Sequence, residues 1–175
     1  MAENPFTTAQ TPLPSGSAPS HAPIVNKALV AQADPVVMSG ASWFWWIGGL
    51  SVVNTIMLHS GSDTGFIIGL GFTMVIDAMF REYQLVAFIV DALAIGTILA
   101  LGFFARKGHF WAFVTGIVLY TLDAGIYLLV QDWMAVAFHG LALFYLVRGA
   151  RKLRAALKAA TEPPPVIAPP PVAGA

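Results

Sequence analysis

The chain has 175 residues, of which 57% are hydrophobic and 10% charged, with nine Lys or Arg against nine Asp or Glu and no cysteine. Soluble domains carry about 25% charged residues, so this balance points to lipid as the solvent. Zero net charge gives no electrostatic footprint for nucleic acid, and the lack of cysteine removes disulfides, thiolate metal sites, thiol catalysis and cysteine lipidation.

Residues 1–41 are rich in Pro, Ala, Ser and Thr, and Pro5, Pro12, Pro14, Pro19, Pro23 and Pro35 are spaced to interrupt any long helix. This stretch reads as a disordered tail, with room for a brief helix over 24–32. The opening MAENPFTTAQ has no basic cluster ahead of an apolar run, so no cleaved signal peptide is expected.

Five apolar segments follow, at about 43–59, 64–80, 84–105, 110–130 and 133–148. Their length, their Leu, Ala and Phe content, and the lack of proline between Pro35 and Pro163 predict helices. The expected fold class is all-α: an integral membrane helical bundle of about five transmembrane helices over 42–148, flanked by disordered tails. The segments 64–80 and 133–148 are short for a hydrocarbon core of ~30 Å. Four transmembrane helices plus one re-entrant segment is therefore the alternative. Trp43, Trp45 and Trp46 at the start of the first segment, and Tyr83, Trp111 and Trp133 at the start of later ones, read as interfacial belt residues.

Beyond the last span, 149–161 reads as a basic juxtamembrane helix in which Arg148, Arg151, Lys152, Arg154 and Lys158 meet lipid headgroups. Residues 162–175 read as a proline-rich, extended and disordered tail. Arg106 and Lys107 fall on the same side as this basic end, which predicts a cytoplasmic carboxyl terminus in either topology. The side of the amino terminus depends on whether the second segment crosses.

Polar groups inside the apolar spans carry the functional signal, because a carboxylate near the bilayer centre costs roughly 2.5–3.5 kcal/mol on insertion scales. In the second segment Gly65, Gly69, Thr73, Asp77 and Arg81 recur every four residues, which predicts a packing stripe that ends in an Asp77–Arg81 pair. Asp91 stands without a charged or phenolic partner on its own helix, beside the small residues Ala92, Gly96 and Ala100. Tyr120, Asp123 and Tyr127 share one face with Gly116, so two phenols flank one carboxylate and can steady it as an internal knot. His139 shares its face with Ala135 and Ala142, a packing pattern, although its titration range would also suit a proton carrier. Under five crossings Asp77, Asp91, Asp123 and His139 fall in the same, non-cytoplasmic half of the membrane. Gly65, Gly69, Gly96 and Gly116 are the expected helix-packing glycines.

There is no phosphate loop, no dinucleotide fingerprint, no zinc helix and no nucleophile, base and orienter set, so no enzyme activity, cofactor or metal is expected. The core over 43–148, with GLSVVNTIMLHSG, GFIIGLGFTMVIDA and ARKGHFWAFVTGIVLYTLDAGIYLLVQDW, resembles uncharacterised bacterial multi-pass membrane proteins in which a proline-rich tail precedes a small helical membrane domain. That resemblance implies a bacterial cytoplasmic membrane and brings no activity with it. The leading expectation is an interaction or structural membrane component whose partners are the lipid bilayer and either further copies of itself or another membrane protein. The alternative is a small proton- or cation-coupled transporter or channel subunit built on the Asp/His cluster.

Overall fold

The computed structural model of the chain describes residues 24–59, 70–80 and 82–162, without the side chains of residues 58, 59, 77 and 78. Helix formation begins earlier than the composition suggests. Asn26 accepts from the Ala28 and Leu29 N–H groups at 3.1 and 3.3 Å and so caps α1 (Lys27–Ala33). Asp34 Oδ1 accepts from Val36 and Val37 at 2.8 and 3.4 Å, and α2 (Pro35–His59) starts there. Pro35 stands at the first helical position, where its missing N–H costs nothing and its fixed φ suits the helix. The expected tail over 1–41 is thus corrected. Residues 27–33 and 35–41 are helical, Ala31, Val37 and Ala41 are buried, and residues 1–23 lie outside the described set.

The remaining elements are α3 (Gly71–Met79), α4 (Gln84–Arg106), α5 (Phe110–Leu129) and α6 (Trp133–Thr161), and the described residues contain no strand. Four of the helices, α2, α4, α5 and α6, are long and apolar enough to cross a membrane. Of the segment expected over 64–80, residues 64–69 lie outside the described set, and α3 starts at Gly71 after Leu70, which is extended at φ −73° and ψ 121°. Nine residues rise about 14 Å, less than half of a ~30 Å core, so α3 is too short to cross. Gly65, Gly69 and Arg81 lie outside the described residues, and Asp77 lies on α3 with its side chain outside them. The basic segment over 149–161 is continuous with the last span. At 29 residues α6 is about 44 Å long, so its basic end extends beyond a core of that thickness.

Three-residue turns at 107–109 and 130–132 join α4 to α5 and α5 to α6, which makes each pair antiparallel neighbours. Gly108 holds φ 79°, a left-handed conformation that glycine adopts without steric cost. α2 packs against α4 and α6, and α5 against α4 and α6, so each long helix has two others as neighbours. α3 is set against α4 and α5.

Large and small residues interlock at these contacts. The Phe44 ring of α2 fills the space left by Gly102 of α4 and Gly116 of α5, and tilts against Phe113 at 5.9 Å. Where α2 crosses α6, Gly40 and Gly149 meet backbone to backbone. A Cβ on Gly40 would stand 2.8 Å from Gly149 Cα and 2.9 Å from the Tyr145 carbonyl. Gly96, expected at a packing face, is instead exposed with open space beside it. Trp43, about 12 Å into α2, is half-buried and stacks on Tyr145 at 4.9 Å and 14°, while Trp45 and Trp46 are exposed. The outer faces are apolar, with Ile56, Leu93, Phe103, Leu122 and Leu141 exposed, as a lipid-facing surface requires.

The Gly40–Gly149 crossing leaves no flexible side chain to move aside. Gly40→Ala is expected to destabilise the protein by about 1–3 kcal/mol, whereas Gly96→Ala should be neutral or stabilising by up to about 1 kcal/mol. Unfolding midpoints in detergent micelles measure both, and equal effects would contradict the packing described.

Candidate functional site: a carboxylate at the start of a buried helix

A helix start leaves backbone N–H groups with no partner in the helix, and in an apolar interior each costs free energy unless something accepts from it. The start of α3 is such a place. Leu70, Gly71 and Thr73 are buried, and they lie level with Ser51 of α2 and Asp123 of α5. Those two residues lie about 12 Å and about 9 Å from the ends of their helices.

Side chains from the long helices supply the acceptors. Leu70 N–H donates to Ser51 Oγ at 3.2 Å, and Ser51 in turn donates to the Ile47 carbonyl at 2.8 Å. Gly71 N–H donates to Asp123 Oδ2 at 3.0 Å and Phe72 N–H to Asp123 Oδ1 at 2.8 Å. Thr73 Oγ1 donates to the Leu70 carbonyl at 2.7 Å. The carboxylate also meets the positive end of the α3 dipole, a favourable placement for negative charge.

His139 of α6 completes the arrangement. Its Nε2 lies 2.9 Å from Asp123 Oδ2, and its Nδ1 lies 2.8 Å from the Ala135 carbonyl one turn back. A carbonyl only accepts, so Nδ1 carries a proton. One further proton must then sit between Nε2 and Oδ2, and the pair is net neutral whichever atom holds it. The imidazole is fully buried, stacked on Tyr120 at 4.3 Å and 16° and flanked by Tyr127 at 4.9 Å and 46°. Ala135 and Ala142 on the same face are fully buried, as their spacing suggested.

Asp123 is held in place, but by other donors than the two phenols expected to steady it. The tyrosines contribute ring faces to His139, and Tyr127 directs its hydroxyl at Met74 Sδ, 3.7 Å away. Asp123 takes its hydrogen bonds from two backbone N–H groups and the imidazole. The Tyr127 ring also explains Gly71, because a Cβ there would stand 2.7 Å from Tyr127 Cε2.

Asp91 is fully buried on α4 and joins a different group: Thr55 Oγ1 of α2 donates to its Oδ2 at 3.4 Å. Ser51, Asn54 and Thr55 form a buried polar stripe at i, i+3 and i+4 on α2, and sequence reasoning missed it. Neither amide atom of Asn54 has a hydrogen-bond partner among the described residues. Of the expected cluster, Asp123, His139, Tyr120 and Tyr127 come together; Asp91 engages Thr55.

Asp123 also borders a cavity of about 370 Å³ between α3, α4 and α5, whose other walls are mostly apolar, including Leu70, Phe72, Ile98 and Leu122. Among the described residues, no three His, Cys, Asp or Glu side chains are grouped so that they could hold a metal ion. No family model, curated protein or solved structure matches the chain.

Removing the Asp123 carboxylate strands two N–H groups and the imidazole. Asp123→Ala is expected to cost about 3–5 kcal/mol, the usual penalty for breaking a buried pair. Asp123→Asn keeps one acceptor and should cost about 1–3 kcal/mol. Denaturant unfolding in micelles measures both, and an unchanged midpoint for Asp123→Ala would contradict the assigned role.

Proposed function

We propose that the protein is a structural or interaction component of the bacterial cytoplasmic membrane, with four crossings and α3 as a re-entrant half-helix. One observation carries the choice of structural over transport function. Both nitrogens of the fully buried His139 are engaged, one by its own helix and one by Asp123, so among the described residues no third group meets them to take up a proton. Asp123 is likewise committed to holding the start of α3. In this reading the polar interior fixes the positions of helices whose outer faces meet lipid or another membrane protein.

The topology rests on the length of α3 and on charge. With α3 returning to the side it entered from, the described amino and carboxyl ends share one side. Lys27, Arg106, Lys107 and the five basic residues of the α6 end share it too. Between α2 and α4 the sequence holds one Lys or Arg, Arg81. The positive-inside rule then makes the shared side cytoplasmic.

The transport alternative has one observation in its favour, the contact of Asp123 with the cavity between α3, α4 and α5. Purified protein in sealed vesicles distinguishes the two readings. A pH jump is expected to dissipate no faster than in protein-free vesicles, and a flux that disappears in Asp123→Asn would overturn the structural reading.

The chain has no cysteine, so single replacements can report sidedness. Gln32→Cys and Glu162→Cys are expected to react with an impermeant maleimide only from the cytoplasmic side. Glu82→Cys and Gln131→Cys should react only from outside. Labelling of the Gln32 and Glu162 positions from opposite sides would contradict the four-crossing topology.

A further inference from the structure

Along α6 one stripe changes character within three turns. Leu143, Phe144 and Val147 are followed on the same face by Arg148, Arg151 and Lys152. With Val36 of α2 this stripe lines a groove of about 650 Å³, and a smaller hollow of about 160 Å³ between Pro35, Ser39, Tyr145 and Arg148 adjoins it. The apolar part lies within the length of α6 suited to the hydrocarbon core. The basic part lies where α2 begins and α6 leaves that core.

The rim has a net positive charge. Lys152 Nζ is 3.8 Å from Asp34 Oδ2, which offsets one of three cations, while Arg148 and Arg151 have no ion-pair partner among the described residues. Planar guanidinium groups suit phosphate oxygens, since two parallel N–H donors can meet one anion. A cationic rim directly above an apolar floor matches a ligand that carries an anionic phosphate and a hydrocarbon chain in one molecule.

We propose that this groove binds one anionic glycerophospholipid, with its phosphate between Arg148 and Arg151 and an acyl chain against Leu143, Phe144 and Val147. This is narrower than a general attraction of basic residues to headgroups, because it assigns two of the five basic residues near the end of α6 to a shaped site. It rests on placing the end of α6 at the membrane surface, and it holds whichever side of the membrane that surface faces. The lipid would also seat the start of α2 against α6, next to the Asp34 cap.

Native mass spectrometry of the full chain, released from mild detergent with added phosphatidylglycerol or phosphatidylcholine, tests the site directly. One phosphatidylglycerol is expected to be retained in preference to phosphatidylcholine. Replacing both groove arginines, Arg148→Gln with Arg151→Gln, should weaken retention about thirtyfold, from two interfacial cations at about 1 kcal/mol each. The pair Arg154→Gln with Lys158→Gln removes the same charge from the same helix outside the groove, and should change retention by no more than about twofold, being screened. Val147→Trp fills the apolar floor with no change of charge and should also reduce retention; it decides the matter if the arginine pair fails to fold. Inorganic phosphate, lacking a chain, should not displace the lipid. Equal losses in the two double variants would reveal a diffuse basic patch, and displacement by inorganic phosphate a free-anion site; either result overturns the proposal. Failure of the cysteine-labelling topology leaves these readouts unchanged, so the two ideas fall separately.

Discussion

The rest of this structure depends on a helix that starts away from water. α3 begins level with the inner turns of α2 and α5, and its first N–H groups would be orphaned in an apolar interior. Ser51 and Asp123 accept from them, so one short helix is tied to two long ones by side chains far away in sequence. His139 on α6 then engages Asp123, and Tyr120 and Tyr127 enclose the imidazole. A small number of polar contacts thus fixes the relative placement of α2, α3, α5 and α6.

That arrangement answers the energetic objection to burying a carboxylate. Three donors and a helix dipole converge on Asp123, and the proton shared with His139 keeps the pair net neutral. Elsewhere the association of apolar helices in lipid relies on close packing, since water expulsion offers no drive there. Gly40 against Gly149, and Phe44 filling the space at Gly102 and Gly116, supply that packing. Polar contacts set position and small residues set distance.

Much of this was legible in the sequence, and what was not has physical reasons. The spacing of Tyr120, Asp123 and Tyr127 put them on one face of α5 and their depth matched that of His139, but the same depth argument also grouped Asp91, which engages Thr55 instead. The true partner of Asp123 carried no signal, because backbone N–H groups at Leu70–Phe72 are the same in any residue and the apolar run there shows no local cap. Pro35 looked like a breaker because proline stops a helix from inside, whereas at the first position it starts one. Gly40 and Gly149 lie in different segments, and nothing in either segment names the other. The stripe of Ser51, Asn54 and Thr55 was readable by spacing alone, but uncharged residues in a long apolar run draw less notice than aspartates.

Asp123 holds the start of α3 by accepting from Gly71 and Phe72, and amide hydrogen exchange of those two residues, followed by NMR in micelles or nanodiscs, reads that role at the atoms concerned. Both amides are expected to be as protected as mid-helix amides of α5, and to lose that protection selectively in Asp123→Ala while α4 keeps its own. Rapid exchange at Gly71 and Phe72 in the unaltered protein, or protection that survives the loss of the carboxylate, would contradict it.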